Sequence, residues 1–192
     1  VKRFSIDIES LSLEPNALVL SIGAVLFDSQ TGKLGAEYYA ALDGFDQQDA
    51  YGRHISFGTS TWWMQQAATD PATADAFEQR VAVKPALEGL NDFVQAQLTD
   101  PAEPVEFWFQ GPQFDAVALG SLCKAAGVVV PWRYNQVRDL RTLIALGRTH
   151  GVTEEVISAG IDPHAYHPHH ALDDAKMQAI RCINTLRALG LE

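Results

Sequence analysis

Asp7 and Glu9 stand two residues apart in the segment Phe4-Ser5-Ile6-Asp7-Ile8-Glu9. In a strand, residues i and i+2 share a face, so both carboxylates would leave an otherwise apolar segment in the same direction. Two charges held there are costly unless something neutralises them. A divalent cation, which favours carboxylate oxygen, would do so; a strand end in solvent would need no partner at all. Asp115 follows Gly111-Pro112-Gln113-Phe114, just beyond a short apolar run. Strand ends in α/β folds are where sites are built, although Asp is also an ordinary helix N-cap. His169 and Asp174 bracket the start of the last apolar-periodic segment. Asp174 in a first turn suits the helix dipole, and His169 shares its stretch with His164, His167 and His170, so each also has a plain structural reading.

The elements that must position these side chains follow from hydrophobic period. Residues 2–8 alternate as a strand, residues 17–27 are rich in Val, Leu and Ile, and residues 37–42 carry Tyr38 and Tyr39. Together they predict three strands in an antiparallel meander, with a turn at 28–33. Residues 44–58 show no period and read as a loop. Helices are expected over 59–66 and 71–80, and most clearly over 85–98, where Leu87, Leu90, Val94 and Leu98 recur at helical spacing. A buried strand at 105–110 turns through Gly111-Pro112 into a helix at 115–126 that Gly127 ends. A further helix covers 140–150, residues 151–170 are irregular, and a final helix covers 171–189 with Leu172, Ala175, Ala179, Ile183 and Leu186 on one face. This order predicts an α/β fold: a mixed central sheet flanked by helices. With 192 residues and no linker or repeat, residues 1–192 read as one domain.

Composition excludes several classes. An apolar fraction of 47% can build a core, which argues against disorder. The longest apolar runs are too short to span a bilayer, so no membrane association is expected. The start shows no charged-then-apolar pattern with a small-residue cleavage site, so no secretory signal is expected. Cys123 and Cys182 lie in apolar stretches without a Cys-x-x-Cys pair. They read as reduced core thiols of a cytoplasmic protein rather than as zinc ligands. The net charge of −10 argues against a large interface that wraps phosphates, but not against a site that holds a few nucleotides.

Taken in order, Asp7-Ile8-Glu9, then Gly111-Pro112-Gln113-Phe114-Asp115, then His169-His170-Ala171-Leu172-Asp173-Asp174-Ala175 resemble the three motifs of the DEDDh exonucleases, a branch of the RNase H-like superfamily. The register of the third motif selects His169 over His170 and Asp174 over Asp173. Within that family the chain is similar to the bacterial and phage 3′–5′ exoribonuclease and exonuclease VIII-like group. The likeness rests on Ser21-Ile22-Gly23-Ala24, on Trp62-Trp63, and on Pro131-Trp132-Arg133-Tyr134 leading to Arg138-Asp139-Leu140-Arg141-Thr142. Gln110 and Ala116 depart from the small polar residues expected near Gly111 and after the motif Asp.

The resemblance implies an RNase H-like exonuclease fold and a hydrolase that removes 5′-mononucleotides from the 3′ end of RNA or single-stranded, overhanging nucleic acid. It implies two Mg²⁺ or Mn²⁺ ions, roughly 3.5–4 Å apart, clamping the attacking and leaving oxygens. Asp7 would bridge both ions, Glu9 and Asp174 would complete the ion that carries the attacking water, and Asp115 would assist the second. His169 would be the general base, a task imidazole can perform at neutral pH. A DNA-specific DEDDh enzyme and a catalytically inactive nucleic-acid-binding module are the competing readings. A homodimer is compatible with the family. Trp62 or Trp63 could stack on bases, with one of the pair expected in the core. Arg138 and Arg141 could meet phosphate, or Arg138 could form a structural ion pair.

Overall fold

The computed structural model describes residues 1–69, 80–100 and 102–192. Five strands form one mixed sheet in the order β3-β2-β1-β4-β5. Strands β1 (Lys2–Ser10), β2 (Val19–Asp28) and β3 (Lys33–Ala41) make the expected antiparallel meander. Strand β4 (Val105–Phe109) joins β1 in parallel, and the three-residue β5 (Val137–Asp139) joins β4 in parallel. β5 was not expected, because three half-buried residues carry no readable period.

The alternation of β1 separates two environments. Phe4, Ile6 and Ile8 enter an apolar cluster with Leu87 and Leu90 of α3 (Val83–Ala96) and Leu119 and Leu122 of α4 (Asp115–Ala126). On the other face lies α7 (Ala171–Ala188), whose Ala175, Ala179, Cys182 and Ile183 pack with α5 (Leu140–Thr149) and with Val25 and Phe27 of β2. The small side chains of Ala171, Ala175 and Ala179 bring α7 close to the sheet. At Gly23 the approach is tightest: a Cβ there would lie 2.2 Å from the backbone of Ala171 and Leu172. Gly23 is the register partner of Asp7, so this close approach sets the first turn of α7 beside the acidic face of β1.

Two segments differ from expectation. Residues 44–51 form α1 (Gly44–Tyr51) rather than loop. Capping makes this helix, not amphipathic period. The Asp43 carboxylate accepts from the Phe45 and Asp46 N–H groups at 2.8 and 3.3 Å, and Gly52 closes the helix at φ 56°. Gln47, buried on α1, exchanges hydrogen bonds of 2.8 and 2.7 Å with the Val19 backbone, where the β1–β2 register shifts. A single-turn helix, α6 (Glu154–Ile157), interrupts the expected irregular stretch. The expected helix at 59–66 is the longer α2 (Phe57–Thr69). The one expected at 71–80 falls, but for Arg80, outside the described residues. Cys123 and Cys182 are free and buried, as read from the sequence. Among the described residues no helix is long and apolar enough to cross a membrane.

Candidate active site

Asp7 and Glu9 lie on the face of β1 turned towards α7, and Glu9 is buried. Asp174 enters from the first turn of α7. The chain before it is folded back at His169, the one described non-glycine residue with positive φ, at 64°. Few L-residues adopt this conformation, and here it aims the His169 N–H at the Asp174 carboxylate, 3.0 Å away. Side-chain atoms of Glu9, His169 and Asp174 then lie within 4.8 Å of one another.

A cavity of about 610 Å³ opens onto Asp7, Glu9, Gln110, His169, Asp174 and Gln178. Asp115, the first residue of α4, is buried. It is not among the lining residues, but its charge reaches Asp7. The N-cap position of α4 is Phe114 rather than Asp115, and no side chain caps it. The carboxylate is therefore not spent on helix capping.

Burial raises all four carboxyl groups, and neighbouring carboxyl charges add to this at Asp7 and Glu9. Burial pushes Asp7 well above the usual carboxylate range, the charges of Glu9, Asp115 and Asp174 add to this, and the Gln178 hydrogen bond opposes it. Burial first, then the Asp174 charge and a proton held between the two carboxyl groups, lift Glu9 to about 9. Asp115 rises to about 6 by burial, against backbone N–H bonds and the Arg141 charge. Asp174 is raised by burial, against the His169 N–H and ring. A cluster of hard oxygen donors that repel one another in this way fits a divalent cation, whose charge would reverse the local balance.

The doubled residues of the third motif separate. His169 goes with Asp174. His170 instead stacks on Tyr39 with ring centroids 4.5 Å apart, and Asp173 receives His167 and Lys176 at 3.3 and 3.8 Å. The two tryptophans also divide. Trp63 is the core member and donates from Nε1 to the Ser10 carbonyl at 2.8 Å. Trp62 is exposed, and its ring stands T-shaped to that of His169 with centroids 4.7 Å apart. Trp62, Leu13 and Phe114 line a mainly apolar pocket of about 420 Å³ that also reaches Glu9. Arg138 pairs with Glu106 at 3.2 Å, not with Asp139, which caps α5. Arg141 stands beside Gly111, near Asp115.

Sequence reading gave no site role to two residues that shape the site, Gly23, quoted only as part of the family likeness, and Gln178. Gln178 donates from Nε2 to Asp7 Oδ1 at 2.6 Å. Its spacing of four from Asp174 on a helix was the available signal.

A profile of the family described as "3'-5' exoribonuclease Rv2179c-like domain" matches residues 2–186. No curated protein matched the sequence. Solved structures share the fold at low identity. The nuclease domain of 3'hExo, described as a DEDDh family member bound to rAMP, is 14% identical with a TM-score of 0.65, over 97% of this chain and 92% of that one. Cell-death related nuclease 4 (CRN-4) is 13% identical with a TM-score of 0.64, over 99% and 64%. A zinc-bound ExoI–ssDNA complex from E. coli is 13% identical with a TM-score of 0.63, over 97% and 40%. The fold is thus the RNase H-like exonuclease fold expected from the motifs.

Proposed function

The chain belongs to the 3'-5' exoribonuclease Rv2179c-like family, and from that premise we propose that it is a metal-dependent 3′→5′ exoribonuclease that releases 5′-mononucleotides. The observation that carries this reading is the meeting of Glu9, His169 and Asp174 around one cavity that Asp7 also lines. In this reading Asp7, Glu9, Asp115 and Asp174 hold two Mg²⁺ or Mn²⁺ ions. Bound there, such ions supply Lewis-acid stabilisation of the attacking and leaving oxygens of a phosphodiester. Asp7 takes the central position, because it is the carboxylate on which the charges of the other three converge. His169 accepts the proton of the attacking water, its backbone tied to Asp174. Its ring packs T-shaped against Trp62 on one side.

Trp62 offers an exposed aromatic face in an apolar pocket next to the carboxylates, suited to a terminal base. RNA is favoured by the family description, and a short single-stranded end by the net charge of −10. The chain acts in this reading as a single domain in the cytoplasm, consistent with two buried thiols pushed up by their apolar surroundings. A homodimer is compatible with it.

The test is digestion of matched 5′-labelled and 3′-labelled RNA and DNA with Mg²⁺, Mn²⁺ or EDTA. The 5′-labelled RNA should shorten as a ladder, the 3′ label should emerge at once as mononucleotide, and EDTA should stop both. Internal fragments would indicate an endonuclease, and faster loss of DNA would assign the deoxyribonucleotide substrate. Binding without cleavage in any metal would leave a nucleic-acid-binding module.

A further inference from the structure

Gln178 is a buried amide in the cavity that Asp7, Glu9 and Asp174 also line. It is 5% exposed and lies one helical turn beyond Asp174 on α7. Its Nε2 donates to Asp7 Oδ1 at 2.6 Å. Gln178 Oε1 is also buried and has no hydrogen-bond partner among the described residues. A buried acceptor left without a donor is costly, so an amide here needs a reason that an apolar residue of the same size would not meet.

We propose that Gln178 is a positioning residue for the metal site: through Asp7 it fixes the carboxylate that holds divalent cations, and its free Oε1 accepts a hydrogen bond from water bound with them. The inference rests on the nuclease reading of this site. Each carboxylate oxygen has two lone-pair directions, so one bond from Gln178 to Oδ1 leaves the second direction, and all of Oδ2, for cations. The bond also stops the carboxyl group from rotating about its χ2, a torsion that is otherwise soft. Leu or Met would fill the same space, and neither would do any of this. Partners of this kind, one shell out from a metal, typically change metal affinity or activity by about 10–100-fold when removed.

The test uses Gln178→Met, nearly equal in volume and lacking both amide atoms, beside the wild-type chain. Mn²⁺ binding is followed by electron paramagnetic resonance of the free ion, and hydrolysis by steady-state kinetics at saturating Mn²⁺. Expected are a Mn²⁺ dissociation constant raised about 10-fold or more, kcat lowered about 10–100-fold, and an RNA KM within about twofold. The thermal midpoint in EDTA should stay at or above the wild-type value, because the unpartnered acceptor is gone. Should Gln178→Met fail to fold, Gln178→Leu gives the same readings. Unchanged Mn²⁺ affinity overturns the inference, whether or not turnover falls. So does a raised RNA KM with Mn²⁺ binding intact, which would place Gln178 on the substrate. The two readings fail in different ways. If the wild-type chain neither binds Mn²⁺ nor cleaves RNA, the nuclease reading falls; if it does both and Gln178→Met matches it, this inference alone falls.

Discussion

The two faces of β1 solve opposite problems within one run of nine residues. Phe4, Ile6 and Ile8 are almost completely buried among apolar side chains from α3 and α4. Each contributes to stability by leaving water, in proportion to its apolar area. Asp7 and Glu9, one residue out of phase, face α7 and are raised by burial and by neighbouring carboxyl charges. In the metal-free chain these carboxylates work against folding. The apolar face therefore stabilises the sheet that the acidic face strains. A site of this kind needs a strand whose other side is secure.

Neighbouring substitutions on the two faces should break this comparison most visibly. Asp7→Asn keeps the shape and removes the central charge. Turnover with Mg²⁺ or Mn²⁺ should be abolished, while the thermal midpoint in EDTA stays equal or rises. Ile6→Ala, one residue away, should do the reverse, with a loss of about 2–5 kcal/mol of stability and wild-type kcat in the fraction that is folded. Denaturation curves and single-turnover rates on both variants decide it. An Asp7→Asn chain that unfolds more readily in EDTA than wild type would show that the acidic face is not the strained one.

The next effect separates the paired histidines on the same face. His169→Ala should lower single-turnover rate by about 10²–10⁴-fold, with Mn²⁺ affinity changed far less. His170→Ala should retain most of the activity, since its ring packs on Tyr39 rather than facing the carboxylates. A crippled His170→Ala beside an active His169→Ala would reassign the base.

The close approach at Gly23 is a smaller, mixed case. A methyl group there meets helix backbone rather than a mobile side chain. Gly23→Ala should lift the start of α7, cost about 1–3 kcal/mol and reduce activity even where the fold survives. The contrast is Gly52→Ala, where a Cβ meets nothing within 4 Å but φ is 56°. That change should destabilise without touching kcat.

Sequence made the two faces of β1 legible because period 2 and residue type coincide there. The choice of His169 and Asp174 over their neighbours came from motif register, and the backbone turn at His169 that separates them leaves no mark in residue type. α1 stayed hidden because Asp43 and Gly52 define it while its surface carries no stripe. Gln178 and Gly23 went unread for a different reason. Each acts on a partner distant in sequence, Gln178 on Asp7 and Gly23 on Ala171, and local pattern does not report such pairs.

The last effect is a dependence of metal-free stability on pH, and its sign follows from the raised carboxyl groups. Asp115 moves up to about 6 and Glu9 to about 9 on folding, from unfolded values near 4. Between the unfolded and folded values the folded chain holds more protons than the unfolded one. Stability therefore falls as pH rises across that interval. In EDTA the thermal midpoint should drop by several degrees between pH 5 and pH 8, since each pH unit crossed between a group's unfolded and folded values costs about 1.4 kcal/mol. Saturating Mg²⁺ should shrink the drop, because cation binding favours the ionised form and adds its own stabilisation. Glu9→Gln should shrink it in EDTA alone, since burial and the Asp174 charge raise that group to about 9. The apolar face offers the control: Ile6→Val should shift the whole curve downward and leave its slope unchanged. A midpoint in EDTA that climbs from pH 5 to pH 8, with a Glu9→Gln curve parallel to wild type, would mean that the acidic face carries no strain for cations to relieve.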